Sequence, residues 1–542
     1  MLLNPPPPCN GGQKQPPAVA HRHPPRVPQD QAFHPDAAMA GYESGHCPSR
    51  GFIVMLRKSL RGPPMPDATR FYIDGAWVDP LSSAHLPVLD PSTEQPFTSV
   101  ALAGEQDVHR AVMAARAAFA GYAATSRQQR LDLLARIIAI YTRRLPDIAA
   151  ALMRELGAPS AFAQDTQAWI GLAHLQKAHE TLQTYGFEHR RGTTLISREP
   201  AGVAALITPW NWPLNQITCK VGPALATGCT TVLKPSEMTP LNAVIFAEIM
   251  HEAGVPAGVF NLIHGDGPGA GRALAAHPEV DVISFTGSTR AGIDVARTAA
   301  GSVKRVLQEL GGKSPFIVLP DADLPRAVAG CTGIVFTNTG QSCDSPTRLL
   351  VPRAWQADAA DLARQAAEAC VVGAPDAPGT TMGPLVNQRQ FDHVQRLIES
   401  AITEGARLIA GGPGRPPGLN SGYYVRPTVF ADVTLDMTIA REEIFGPVVT
   451  IIPYQDEADA LRIANDTQYG LAGYVHGADM QRVHRVARAI RAGAIFINDP
   501  PLDLGAPFGG YKQSGNGREY ADFGFDDFTE IKGMVGYETA EA

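Results

Sequence analysis

A chain of 542 residues exceeds what one hydrophobic core usually fills, so roughly two to four structural units are expected. Its net charge of -7 is spread without long basic or acidic runs, which leaves no electrostatic footprint for nucleic acid or an anionic membrane. The longest apolar stretches, such as Gly51-Phe52-Ile53-Val54-Met55-Leu56, fall far short of the roughly 20 residues that cross a bilayer, so small-molecule chemistry is the default.

Residues 1–64 carry Pro5 to Pro8, His21-Arg22-His23-Pro24-Pro25 and scattered Gly, Gln and Ala. Such a segment cannot bury enough apolar surface to offset its ordering entropy and reads as a disordered leader. It lacks the apolar core of a secretory signal, and a start codon assigned too far upstream explains it equally well. Folded sequence is expected from about Met65, just before the hairpin-like Phe71-Tyr72-Ile73-Asp74-Gly75-Ala76-Trp77.

From Asp107 to Gln183 the pattern is helical, with Leu131, Leu134, Ile138 and Tyr141 on one face after a Ser126 cap. Alternation follows: Gly202 to Ile207, Thr230 to Leu233, Val259 to His264 and Val280 to Phe285 read as buried strands with helices between them. One helix is expected to run from a Thr239 cap, with Pro240 in its first turn, to Ala253, stopped by Gly254. This alternation predicts a doubly wound parallel sheet.

A second alternating block has strand-like Pro315 to Leu319, Leu349 to Pro352, Ala406 to Ala410, Val448 to Tyr454 and Ala494 to Asn498, with helices such as Gln388 to Gly405. Two α/β units in tandem, divided near Gly311-Gly312, imply a cleft where a cofactor on one faces a nucleophile on the other. The seven cysteines (Cys9, Cys47, Cys219, Cys229, Cys331, Cys343 and Cys370) are odd in number and contain no Cys-x-x-Cys pair. That spacing argues for a reducing, cytoplasmic compartment and against a disulfide framework or a cysteine metal site.

Two segments compete as phosphate turns. Gly265-Asp266-Gly267-Pro268-Gly269-Ala270 fits G-x-G-x-x-A after a strand, yet no acid stands near Ile283 to Ser288, where the fingerprint wants one. Phe285-Thr286-Gly287-Ser288-Thr289 also leaves a strand and opens a helix, where backbone and a hydroxyl meet a pyrophosphate; simple helix capping is the plainer role for Ser288. Thirty-four residues separate Glu309 from Cys343, and a carboxylate paired with a glycine-flanked thiol suggests covalent chemistry on a carbonyl.

Thr208-Pro209-Trp210-Asn211-Trp212-Pro213, Lys234-Pro235-Ser236-Glu237, Phe285-Thr286-Gly287-Ser288-Thr289, Glu309-Leu310-Gly311-Gly312, Gly340-Gln341-Ser342-Cys343 and Glu442-Glu443-Ile444-Phe445-Gly446-Pro447 together resemble, in order and approximate spacing, the signature blocks of the NAD(P)-dependent aldehyde dehydrogenase superfamily. The similarity continues through Asn465 to Leu471 and Pro507 to Gly515, covering about residues 70 to 535. It implies a Rossmann-like dinucleotide-binding domain (65–189 and 203–311), a catalytic thiol domain (312–519) and a small β oligomerisation arm (190–202 and 520–538).

By that resemblance Cys343 is the nucleophile, Asn211 and the Cys343 backbone N–H stabilise the oxyanion, and Glu309 activates the water that clears a thioester. Lys234 and Glu237 look like the adenosine-ribose contacts, Gly287 and Ser288 the pyrophosphate contacts, and Glu443 and Phe445, with Trp210, those of the nicotinamide half. A carboxylate at Glu237 suits a ribose 2′-hydroxyl and repels a 2′-phosphate, so NAD is favoured, with NADP as the alternative if Lys234 compensates. No metal is implied.

Two departures stand out. Asp344 follows the nucleophile, and its charge opposes thiolate formation; Ser342 replaces the cysteine often found before it. The Gly265 to Gly271 stretch is not where the family binds phosphates, so it is expected to be a loop. The implied reaction is oxidation of a small-molecule aldehyde to a carboxylic acid; the alternatives are coenzyme-A-dependent acylation and a non-catalytic protein retaining the fold. Trp212, Phe336 and Phe508 would suit an apolar or aromatic substrate. Thr193-Thr194-Leu195-Ile196 reads as an exposed edge unless paired with another chain, which with the resemblance implies a homodimer or homotetramer.

Overall fold

Asp74 and Gly75 take φ values of 54° and 76°, the left-handed pair whose twist matches right-handed strands, and so close the hairpin of Phe71–Ile73 with Ala76–Val78. The computed structural model describes residues 66–537; the expected leader, Cys9 and Cys47 lie outside the described residues, as does residue 538 of the expected arm. After the hairpin comes an unanticipated antiparallel pair, His85–Asp90 with Gln95–Ala101. The helices Glu105–Ala123, Arg127–Glu155 and Trp169–Thr184 follow. Ser126 caps the second: its hydroxyl accepts from Gln129 N while the Gln129 side chain accepts from Ser126 N.

The first sheet runs, in spatial order, Gly515–Asn516, Arg305–Glu309, Val282–Thr286, Val203–Ile207, Thr230–Lys234, Phe260–Leu262, Phe71–Ile73 and Ala76–Val78. Its five inner strands from Arg305–Glu309 to Phe260–Leu262 are parallel, and both outer sides are antiparallel. Val203–Ile207, Thr230–Lys234 and Val282–Thr286 are buried at every residue because helices cover both faces. Ala204 and Leu206 face the core shared with Arg127–Glu155, Pro213–Thr227 and Leu241–Glu252. Val203, Ala205 and Ile207 face the core shared with Glu105–Ala123 and Thr289–Ala299. The chain leaves Val203–Ile207 in one direction for the next two strands and returns to its other side for Val282–Thr286, so the winding reverses there.

The second sheet orders Arg407–Ala410, Thr428–Ala431, Val448–Tyr454, Arg348–Pro352, Pro315–Val318, Ala472–His476 and Ala494–Ile497; all pairs are parallel except the first. Thr428–Ala431 and Ala472–His476 were not anticipated. Gly515–Asn516, expected with this second unit, pairs instead with Arg305–Glu309 of the first sheet.

Three expectations are corrected. The helix Leu241–Glu252 is not capped by Thr239, whose hydroxyl has no partner. Pro240 already has a helical φ, and the buried Glu155 carboxylate accepts from Leu241 N at 2.7 Å and Asn242 N at 3.0 Å instead. Gly267–Gly271 is a helical turn running into Arg272–Ala276, held by Asp266 Oδ1 accepting from Gly269 N, rather than a loop. Thr194 to Ile196 is not an edge: the strand Thr194–Pro200 is central in a three-stranded sheet, between Glu188–Arg191 and Thr529–Met534 of the same chain. Phe336 packs into the core of the second sheet.

Candidate active site

Where a parallel sheet reverses its winding, the loops leaving the two diverging strands open a crevice. Val203–Ile207 leads there into Trp210 and Asn211, and Val282–Thr286 leads into Gly287 and Ser288. Ser288 begins the 11-residue helix Thr289–Ala299; its hydroxyl accepts from Ala291 N at 3.3 Å and keeps its own proton to donate. The N–H of Gly287 is taken by Glu309 O at 3.0 Å, so Gly287 provides close approach rather than a donor. The buried hydroxyls of Thr208 and Thr286, at the ends of the same two strands, bond no described residue. Positive helix end, hydroxyls and glycine fit a pyrophosphate.

Next along the sheet, the buried Lys234 ammonium donates to Pro235 O at 2.9 Å and Gly265 O at 2.7 Å and lies 3.9 Å from the Glu237 carboxylate. Burial lowers the pKa of Lys234, opposed by the charges of Glu237 and Asp266. The Gly265 turn that failed as a fingerprint therefore serves by anchoring this lysine.

The thiol sits in irregular backbone between the helix Leu324–Phe336 and the strand Arg348–Pro352. Asn338, Thr339 and Gly340 take three successive left-handed φ values of 53°, 56° and 73°. A side chain at Gly340 would collide with the Gly446 carbonyl. Side chains from the other unit pin this turn. Asn211 Nδ2 donates to Gln341 O at 3.0 Å, and Trp212 Nε1 donates to Ser342 Oγ at 2.8 Å. Asn211 O accepts from Asn338 Nδ2 at 2.8 Å and from Gln167 Nε2 at 3.1 Å, and Gln341 Oε1 accepts from Val386 N. Sequence reading missed Gln167, Asn338 and Gln341; the run Asn338-Thr339-Gly340 was the available signal, since Asn and Gly tolerate left-handed backbone.

Glu309 ends its strand three residues before Gly312, and a side chain at Gly312 would collide with the Cys343 carbonyl. The segments that carry the acid and the thiol thus pack backbone against backbone. Both Glu309 oxygens are buried with no hydrogen-bond partner among the described residues. Burial, then the negative charge of Glu519, pushes Glu309 well above the usual carboxylate range, against the pull of Lys220 and Arg518. Behind it lies a buried cluster that the sequence did not announce: Lys220 is ion-paired with Glu519, and the Cys219 thiol donates to Glu519 Oε2 at 3.4 Å.

Cys343 is partly exposed with its thiol enclosed, and the thiol is pushed well above its ordinary pKa by burial, then by Asp344, Glu443 and Glu309. The expected opposition from Asp344 is therefore present. Burial also raises the Asp344 carboxyl, whose Oδ2 lies 3.5 Å from the Tyr474 hydroxyl.

Glu443 Oε1 accepts from Gly312 N at 2.9 Å, and burial pushes this carboxyl up to about 7. Phe445, at φ 53°, meets Trp210 edge-on with ring centres 5.4 Å apart, so two residues of the expected cofactor set touch. Gln390 Nε2 donates to Phe445 O at 2.9 Å and fixes that loop. Among the described residues no three His, Cys, Asp or Glu side chains cluster as a metal site, and no helix is long and apolar enough to cross a membrane.

Comparison with known proteins adds an independent line. The sequence model of the aldehyde dehydrogenase family matches residues 77–534. The chain is 52% identical over 475 residues to a 3-succinoylsemialdehyde-pyridine dehydrogenase of a Pseudomonas species, covering 88% of this chain and all of the relative. Among solved structures, a mutant of aldehyde dehydrogenase C of Pseudomonas syringae, in complex with NAD+ and octanal, aligns at TM-score 0.87 and 50% identity over 89% of this chain and all of that one. An aldehyde dehydrogenase of Bartonella henselae aligns at TM-score 0.85 and 44% identity, covering 87% of this chain and all of its own.

Proposed function

The chain belongs to the aldehyde dehydrogenase family, and from that premise we propose that Cys343 is its nucleophile, Asn211 part of its oxyanion site and Glu309 its general base. The enzyme oxidises an aldehyde to a carboxylic acid with reduction of NAD. The observation that carries the residue assignment is the bonding of Asn211 to Gln341, two residues before the thiol, together with the packing of Gly312 on the Cys343 carbonyl.

Enclosed among carboxyl groups, Cys343 rests as a thiol, so attack on the aldehyde carbon requires loss of its proton to a base. Solvent takes that proton as pH rises, which leaves Glu309, whose two oxygens meet no donor among the described residues, unprotonated for the later step. The oxygen of the resulting hemithioacetal is stabilised by the second Asn211 amide hydrogen, the first being held by Gln341 O, and by the Cys343 backbone N–H. When bound, NAD supplies the acceptor for the hydride that the adduct gives up. A thioester remains on Cys343. Glu309 draws a proton from water, the water oxygen adds to the thioester carbon, and the carbon–sulfur bond breaks to release the acid.

Lys234 and Glu237 would hold the adenosine ribose, Ser288 and the Gly287 turn the pyrophosphate, and Glu443, Phe445 and Trp210 the nicotinamide half. Glu237 disfavours a 2′-phosphate, and the Lys234 ammonium is already occupied by two carbonyls, which supports NAD over NADP. The retained water-activating acid favours hydrolysis over acyl transfer to coenzyme A. The five described cysteines are all free, which supports a cytoplasmic location. Self-association as a homodimer or homotetramer is supported by the three-stranded arm: Glu188–Arg191 is exposed at every residue, and Ile531 on the opposite edge is 66% exposed. A kinetic screen of aldehydes with NAD and NADP side by side, with coenzyme A added in parallel, tests the assignment. NADH and free acid are expected; acyl-CoA as the product, or no NADH with any aldehyde, would overturn it.

A further inference from the structure

Tyr520 has φ 78° and ψ 148°, and Ala521 follows at φ 45°. Bulky residues rarely occupy such backbone, and strain of this kind persists where the surroundings over-determine it. Here they do. Glu519 is locked to Phe508 by a reciprocal pair of backbone hydrogen bonds at 2.7 and 3.0 Å, and Gly524 N donates to Tyr520 O at 3.0 Å. The forced turn seats the Tyr520 ring against Phe508, stacked at 5.2 Å and 21°, and against His174 at 4.5 Å. His174 is uncharged: burial pushes it down to about 4, and its Nε2–H donates to Asn215 Oδ1 at 2.6 Å.

The phenolic hydroxyl makes no hydrogen bond to any described residue. Burial first, then Cys219, Glu519, Cys343 and Asp344, raise its pKa, so it stays protonated at neutral pH. It is a fixed donor with a free proton, and the Phe508 ring it stacks on is followed directly by Gly509, where a side chain would collide with Glu309 Oε1.

The charges around that site are also one-sided. Asp344, Glu309 and Glu443 act on the thiol, while Lys220 is paired with Glu519 and Arg518 donates to the carbonyls of Gly510 and Gly517. An anionic tail desolvated there would meet these acids, while Lys220 and Arg518 are already engaged.

Resting on the reading of Cys343 as nucleophile, we propose that Tyr520 is a specificity-determining residue: its hydroxyl donates to a heteroatom on the tail of the aldehyde. The class of substrate is an uncharged aromatic aldehyde carrying a hydrogen-bond acceptor, its ring lying along Phe508, Tyr520 and His174. Carboxylate-bearing semialdehydes are disfavoured.

The test compares benzaldehyde with nicotinaldehyde and isonicotinaldehyde, which keep the ring shape and add an acceptor nitrogen, alongside octanal and succinate semialdehyde. In Tyr520→Phe, kcat/KM for at least one pyridine aldehyde is expected to fall about 10-fold, the worth of one hydrogen bond, while benzaldehyde and octanal change less than about 2-fold. The Phe variant keeps both ring contacts, and thermal melting checks its fold. An unchanged ratio of pyridine aldehydes to benzaldehyde, or an equal fall for all substrates, would overturn the proposal. So would wild-type enzyme that oxidises succinate semialdehyde as well as benzaldehyde. Absence of NADH from every aldehyde with the wild type would instead remove the underlying assignment of function.

Discussion

Trp210, Lys234, Gly287 and Ser288 of the proposed cofactor set follow the C-terminal ends of buried parallel strands: Trp210 after Val203–Ile207, Lys234 at the end of Thr230–Lys234, Gly287 and Ser288 after Val282–Thr286. Cys343 instead follows the left-handed turn Asn338-Thr339-Gly340 ahead of Arg348–Pro352, tied through Gln341 and Ser342 to Asn211 and Trp212 of the other unit. One half of the site inherits its geometry from regular sheet topology. The other is imposed by contacts between residues more than a hundred positions apart, such as Asn211 with Asn338. Damage to the thiol half should therefore lower kcat, while cofactor binding survives.

The sharpest way to separate the halves is Cys343→Ala. Turnover is expected to fall roughly 10^4-fold or more, with NAD affinity by calorimetry unchanged; loss of NAD binding as well would mean that the halves are not separable. Next, Glu309→Gln should slow steady-state oxidation by about 10^2- to 10^4-fold while leaving a rapid burst of NADH, because acyl-enzyme clearance is the step most dependent on that base. Loss of the burst together with turnover would assign Glu309 to the first step alone. Asn338→Ala removes the bond to Asn211 O and puts alanine at φ 53°; kcat should fall roughly 10- to 100-fold from misplacement of the thiol, with the KM for NAD little changed.

The smallest effect concerns pH. Neighbouring carboxyl groups hold the Cys343 pKa up, so the reactive thiolate appears only as pH rises and the kcat/KM profile has an ascending limb. Asp344→Asn removes one of those charges and lowers the thiol pKa, which should move that limb toward lower pH by up to about one unit. A limb that stays in place would show that Asp344 does not act on the thiol.

The same contrast explains what could be read from the sequence. Val203–Ile207, Thr230–Lys234 and Val282–Thr286 were legible because strands buried on both faces are continuous apolar runs between turn residues. Ser126 announced its helix because its capping partner is three residues away. Glu155 capping Leu241, and Thr529–Met534 pairing with Thr194–Pro200, span distances that no local pattern encodes. Thr428–Ala431 is only four residues long, and Ala472–His476 contains Gly473, so neither rises clearly above loop composition. Glu309 and Cys343 drew notice as a carboxylate and a glycine-flanked thiol, while their proposed roles and that of Asn211 became legible through the resemblance of six ordered blocks. Lys220, Glu519 and Tyr520, which shape the charge and the wall of the site, lie outside the reading because their importance comes from what packs beside them.

The most direct test of covalent catalysis at Cys343 is mass spectrometry of Glu309→Gln enzyme quenched after mixing with NAD and excess aldehyde. The account predicts an acyl group on the peptide that contains Cys343. NADH formation with Cys343 unmodified, or the acyl group on Cys219, would contradict it.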